Sequence, residues 1–217
     1  MNILLEAWVG LVGGEHGRAA GADLLARYAE PHRRYHDVRH LRDVLAIVDE
    51  LETEAADPVA VRLAAWFHDA VYVVEHNAHE PAAHESAAAV SNEEASARLA
   101  ETVLGALGLD PARIREAARL VRLTQSHHPE PADRDAAVLC DADLAILGAA
   151  PERYLRYTHE VRAEYAAVPE DAFRRGRAEI LRSLLNAPTL FHTTVARARY
   201  EEQARANLAT EIATLTA

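Results

Sequence analysis

Two histidines and three aspartates stand in stretches that are otherwise apolar. His40 opens "HLRDVLAIVDEL" (40–51), His68 and Asp69 sit side by side in "AAWFHDAVY" (64–72), and Asp141 and Asp143 interrupt "VLCDADLAILG" (138–148). An ionised carboxylate in such a segment is unfavourable unless a partner compensates it. One divalent cation would compensate several of these groups together, neutralising the acids and taking the lone pairs of the rings. Mixed imidazole and carboxylate donors suit Mn, Fe, Co, Ni or Zn, and Mg where more water is retained. Adjacent helical positions point roughly 100° apart, so His68 and Asp69 would reach such an ion from two sides. A plain structural role is also open to the later acids, because "DAD" fits a helix start at which an aspartate caps backbone N–H groups.

The segments that must position these residues read as helices. In 40–51 the residues Leu41, Val44, Leu45, Val48 and Leu51 recur at helical spacing, with charges on the other face. A second helix is expected over 58–72, with Asp57 as its cap and Pro58 in the first turn. A third covers 87–107 and stops at Gly108, and a fourth follows Asp110 and Pro111 to about residue 125. Others are expected over 134–147, 151–167, 170–186 and 197–215. The polar, histidine-rich stretch at about 74–91 breaks this rhythm and reads as a loop around Pro81. There is no strand pattern and no internal repeat. The expectation is an all-α bundle forming a single domain over 1–217.

Composition narrows the function classes. Half of the residues are apolar, enough for a sizeable core, and abundant alanine favours helix. A formal net charge of −11 opposes a general nucleic-acid or membrane-surface role, since both need a basic face. All 23 basic residues are arginine, the side chain that grips phosphate bidentately. The one cysteine, Cys140, excludes an intrachain disulfide and suits a reducing cytoplasm. "MNILLEAWVG" lacks the basic flank of a signal peptide, and no apolar run has membrane-spanning length. A cytoplasmic setting is expected. The oligomeric state stays open, a homo-oligomer included.

The ordered set "YHDVRH" (35–40), "FHDAVY" (67–72), "NEEASA" (92–97) and "DADLAILG" (141–148) resembles the HD-domain metal-dependent phosphohydrolases, specifically the bacterial branch of predicted HD phosphohydrolases. The likeness continues through "YTHEVRAEYAAVP" (157–169), "FRRGRAEIL" (173–181) and "ARANL" (204–208), so it spans most of the chain. It implies an HD-type helical bundle and one divalent ion held by His40, His68, Asp69 and Asp143, with His36 and Asp141 as the alternatives. It further implies a water nucleophile at phosphorus, with Asp69 taking a proton and Glu93 or Glu94 orienting the water. The chain departs from that pattern after Tyr72, where Val73 and a long loop precede "NEEASA"; "HES" (84–86) makes Glu85 a third acidic alternative.

Phosphate contacts are expected from Arg33, Arg34, Arg39, Arg162 or Arg177, and an aromatic wall from Tyr35, Phe67 or Tyr72. His127 and His128 stand at an expected helix end, where a histidine is favourable or simply exposed. They also fall where two-metal members of the family add ligands, so substrate contact or a second, less favoured ion is the alternative. His76, His79 and His84 read as solvated loop residues. The implied substrate is a nucleotide or a related small phosphate ester. An alarmone-type pyrophosphohydrolase is the alternative enzyme, although the "ED" expected after the HD pair is replaced by Val71-Tyr72. A metal- or nucleotide-binding sensor without turnover is the alternative outside enzymes.

Overall fold

Amphipathic spacing resolves into ten α-helices in the computed structural model, which describes residues 2–74 and 90–217. They are α1 (Ile3–Val12), α2 (Gly14–Tyr28), α3 (Val38–Glu50), α4 (Pro58–Phe67), α5 (Asn92–Ala106), α6 (Pro111–Leu123), α7 (Arg134–Leu144), α8 (Pro151–Glu164), α9 (Glu170–Asn186) and α10 (Thr194–Thr216). No strand occurs among the described residues. Nor, among them, is any helix long and apolar enough to cross a membrane. The expected start of the third helix at residue 87 and the side chains of His76, His79, His84 and Glu85 lie outside the described residues.

Helix α4 sits at the centre. Ala60, Val61 and every residue from Leu63 to Phe67 are buried, the pattern of a helix enclosed on all sides rather than half-exposed. It packs against α3, α5, α6 and α7, and its alanines keep those neighbours close. Its start follows the sequence: the Asp57 carboxylate accepts the N–H groups of Val59 and Ala60, both at 3.1 Å.

Its end does not. The helix stops at Phe67, although the apolar pattern runs on to Tyr72. Side chains take over the carbonyls a longer helix would use: His68 Nδ1–H donates to Ala65 O at 2.8 Å, and Arg33 donates to Asp69 O at 2.7 Å and Ala70 O at 3.3 Å. The His-Asp pair therefore sits on the turn that closes α4.

The hairpin α1–α2 is an element the periodicity does not announce, and it braces this turn. Trp8 lies with its ring centre 5.2 Å from Trp66 and 5.9 Å from Phe67. Gly21 permits that packing, since a Cβ there would stand 2.3 Å from Trp8 Cδ1. From the end of α2, the Tyr28 hydroxyl donates to Trp66 O and accepts the Asp69 N–H, both at 3.3 Å. At the other side of the core, α7 gives way to a 3-10 turn over Ala145–Gly148 that lies against α10.

Candidate metal centre and its cavity

His40 enters from the first turn of α3, His68 and Asp69 from the end of α4, and Asp143 from the last turn of α7. Donor atoms of His40, His68 and Asp69 all lie within 4.8 Å of one another, so these three residues could hold a metal ion. The separations are 3.0 Å between the two Nε2 atoms, 3.4 Å from His40 Nε2 to Asp69 Oδ2 and 3.2 Å from His68 Nε2 to the same oxygen. Asp143 Oδ1 closes the group at 3.1 Å from His40 Nε2 and 3.6 Å from His68 Nε2.

The donor chemistry fits a cation. Bonds of 2.0–2.2 Å place neighbouring ligand atoms about 2.8–3.6 Å apart in octahedral or tetrahedral arrangements. Because His68 donates from Nδ1 to a carbonyl, its neutral ring presents a lone pair at Nε2, toward the other donors. Both rings are almost wholly buried, at 3% and 1% side-chain exposure for His40 and His68.

Charge within the group is strongly coupled. Burial pulls the His40 ring toward its neutral form, but the carboxylates of Asp143 and Asp69 outweigh it and raise its pKa to about 10. His68 is raised in the same sense, burial opposing and Asp69 and Asp143 prevailing. Burial works to raise Asp69 and Asp143, yet the neighbouring histidines hold both well below the usual carboxylate range.

A surrounding set of side chains aims the donors. Asp37 caps α3, accepting Arg39 N–H at 2.7 Å and His40 N–H at 3.4 Å. His127 Nε2 lies 2.8 Å from Asp143 Oδ2, which leaves Oδ1 for the cluster. His127 adopts a left-handed backbone, φ 52°, just beyond α6, a conformation usually given to glycine. The sequence alone did not single out Glu164. Its Oε1 accepts the N–H groups of Arg34, Tyr35 and His36 at 2.7, 2.8 and 2.9 Å. Its Oε2 accepts from His36 Nδ1 at 2.7 Å and from the Tyr72 hydroxyl at 3.2 Å. The signal was present: Tyr154, Tyr157, Val161 and Glu164 are the buried residues of α8, so an acid continues an apolar stripe.

Other expected site residues fall elsewhere. Asp141 faces away from the cluster, its two oxygens accepting His192 N–H at 2.8 Å and Thr193 N–H at 2.7 Å at the start of α10. His36 is held by Glu164 and stacks on Tyr72 at 4.3 Å, close to the cluster but outside its donor set. Arg33 is buried and holds the backbone of the His-Asp turn, so it is no free phosphate ligand. Arg34 and Arg39 are exposed, and Arg39 pairs with Asp37 and Glu160. Arg162 ties α8 to the α8–α9 link through Glu170, Tyr165 O and Val168 O. Glu94 is engaged by Arg122 at 2.6 Å and Arg98 at 2.7 Å, and these guanidinium hydrogen bonds lower its pKa to about 2. His128 is exposed and turns to its neighbour Ser126. Phe67 is core, and Tyr35 packs on His40 at 4.7 Å between ring centres.

Seven of the expected residues do share one space. Asp69, Asp143, Glu93, His127, Arg177, His36 and Tyr72 line a cavity of about 380 Å³. The segment after Tyr72 is tied to α5 despite the residues between them in sequence. Asn92 accepts Val73 N–H and donates to Val73 O, both at 3.1 Å, while Ser96 Oγ accepts Val71 N–H at 3.0 Å. "FHDAVY" and "NEEASA" are thus adjacent, and Val73 itself points outward at 60% exposure. Compared with protein-family models, with curated proteins and with solved structures, the chain matches none.

Proposed function

We propose that the protein is a divalent-metal-dependent phosphohydrolase acting on a small phosphate ester. The observation that carries this reading is the convergence of two imidazole Nε2 atoms with the carboxylates of Asp69 and Asp143, both of which also line the 380 Å³ cavity. In this reading His40, His68, Asp69 and Asp143 hold the ion, one ion for one cluster; Mn, Fe, Co, Ni, Zn and Mg all accept such donors. When bound, the ion supplies a water made nucleophilic near neutral pH and positive charge against the phosphoryl oxygens.

The chain's own groups do the rest. Hydrolysis joins a water oxygen to phosphorus, breaks the ester P–O bond and leaves a proton on the departing oxygen. Asp69 is the group that takes the proton from water, and Glu93, on the same cavity, orients that water. His127 keeps the Asp143 carboxylate turned toward the cluster, and Glu164 holds His36 at the cavity wall.

The test is phosphate release from a panel of nucleotides, sugar phosphates and simple esters. Metal-stripped protein is assayed with Mn, Mg, Co, Ni or Zn added singly. Asp69→Ala is expected to lose both metal binding and release. Release that survives chelation and that substitution would overturn the mechanism. Protein that binds ion and nucleotide but releases no phosphate from any member is the non-catalytic sensor instead.

A further inference from the structure

Resting on the phosphohydrolase reading, we infer that the substrate carries a single phosphate group on a compact, apolar remainder, and that this remainder lies against the α8–α9 side of the cavity. The cavity lining is mixed. Asp69, Asp143, Glu93, His36 and His127 contribute polar groups, while α8, α9 and their link contribute Val161, Tyr165, Val168, Ala172, Gly176 and Ile180, with Tyr157 and Arg177 among them. Ile180 is 58% exposed there, a large apolar side chain left uncovered at the edge of the cavity. At Gly176 an added Cβ would meet nothing within 4 Å, so the wall has open space at that point. Volume limits the occupant: about 380 Å³ lies near the lower end of small-ligand sites and suits a phosphate plus a ring-sized group.

Charge disfavours a second phosphate. Polyphosphates are bound by cationic side chains or backbone N–H groups in addition to metal. Among the described residues, Arg177 is the only arginine lining this cavity. It is already engaged by Glu211 at 2.9 Å and the Tyr157 hydroxyl at 3.0 Å. Residues 75–89 contain no arginine or lysine that could add one. A terminal phosphate at the cluster would therefore push a second one toward Glu93 or onto apolar side chains. Desolvating that charge with no further arginine beside it among the described residues is unfavourable. An apolar remainder meets the opposite situation and gains from burial.

Non-hydrolysable phosphonates test this by calorimetric binding to the manganese-loaded full chain. Benzylphosphonate is expected to bind at least about tenfold tighter than methylphosphonate, from the apolar area it buries. 2-Carboxyethylphosphonate, which carries a second negative charge to the same wall, should bind no tighter than methylphosphonate. Gly176→Phe should reduce the benzyl-over-methyl preference to about twofold or less. Ile180→Asp, at an exposed position, should weaken benzyl binding in the same direction and serves if the first variant folds poorly. Equal affinity for benzyl and methyl, tightest binding of the carboxyethyl compound, or no phosphonate binding overturns the inference. Phosphate release chiefly from nucleoside triphosphates also overturns it, while leaving the hydrolytic chemistry standing. The benzyl preference without release from benzyl phosphate or any other ester of the panel sinks the hydrolase reading and supports the pocket assignment.

Discussion

Glu164 makes no contact with the four-donor group, yet five hydrogen bonds end on its carboxylate and fix the approach to α3. Burial would raise its pKa, but His36 and the backbone N–H groups prevail and bring it to about 2, against an ordinary 4.5. A carboxylate lowered in the folded state contributes stability that is present above pH 4.5 and is lost as the pH falls through 2. A shift of that size corresponds to about 3 kcal/mol at neutral pH. Glu164→Gln should therefore destabilise the protein by about 2–3 kcal/mol at pH 7, with the gap from the parent narrowing as pH falls below 4.5. Urea denaturation across pH measures this, and a variant as stable as the parent at pH 7 would refute it. The contrast with Asp141 is instructive. Both are buried acids in apolar helices, but Asp141 spends both oxygens on the start of α10, and only geometry separates such an anchor from a ligand.

At the level of elements, the "DADLAILG" segment ends in a glycine because α10 crosses there. A Cβ at Gly148 would stand 2.5 Å from Tyr200 Cβ and 2.8 Å from the Tyr200 carbonyl oxygen. Gly148→Ala should destabilise by roughly 1–3 kcal/mol through overpacking, lowering the melting temperature by several degrees. An unchanged thermal transition would show that α10 yields freely. The helices with strong periodicity or capping acids were readable in advance: α3, α6, α8 and α9 begin within three residues of their expected starts and end within three of their expected ends. Periodicity failed where tertiary contacts override it. The end of α4 is decided by Arg33, a residue 36 positions before Asp69, and the α1–α2 hairpin is rich in glycine, of which Gly21 serves close packing on Trp8. The candidate site was legible for a related reason. His40, His68, Asp69 and Asp143 are polar residues in apolar stretches, whereas the arginines look alike in sequence and differ only in their partners. Of those proposed for phosphate, Arg177 alone among the described residues reaches the cavity.

For the molecule as a whole, the cluster couples folding to protons and to an ion. Ligand that binds only the folded chain stabilises it by about 2.7 kcal/mol at a hundredfold excess over Kd. A clear upward shift of the melting temperature is expected on adding Mn or Zn to stripped protein, and Asp69→Ala should lose it. The sign with pH follows from His40, which holds a proton up to about pH 10 in the ion-free cluster. An ion must displace that proton, so between pH 6 and 8 affinity should rise as pH rises, with protons released on binding. Titrations in buffers of different ionisation enthalpy measure the release; affinity independent of pH would contradict it. The donors are also unevenly placed along the chain. His40, His68 and Asp69 come from α3 and α4, which are consecutive, whereas Asp143 arrives from α7 and Glu164 from α8. A chain extended only as far as Asp69, on the turn that closes α4, already carries three of the four donors. Three donors thus fall within residues 40–69 and the fourth only at 143, so an ion meeting a chain whose second half is unfolded would find three ligands and not four.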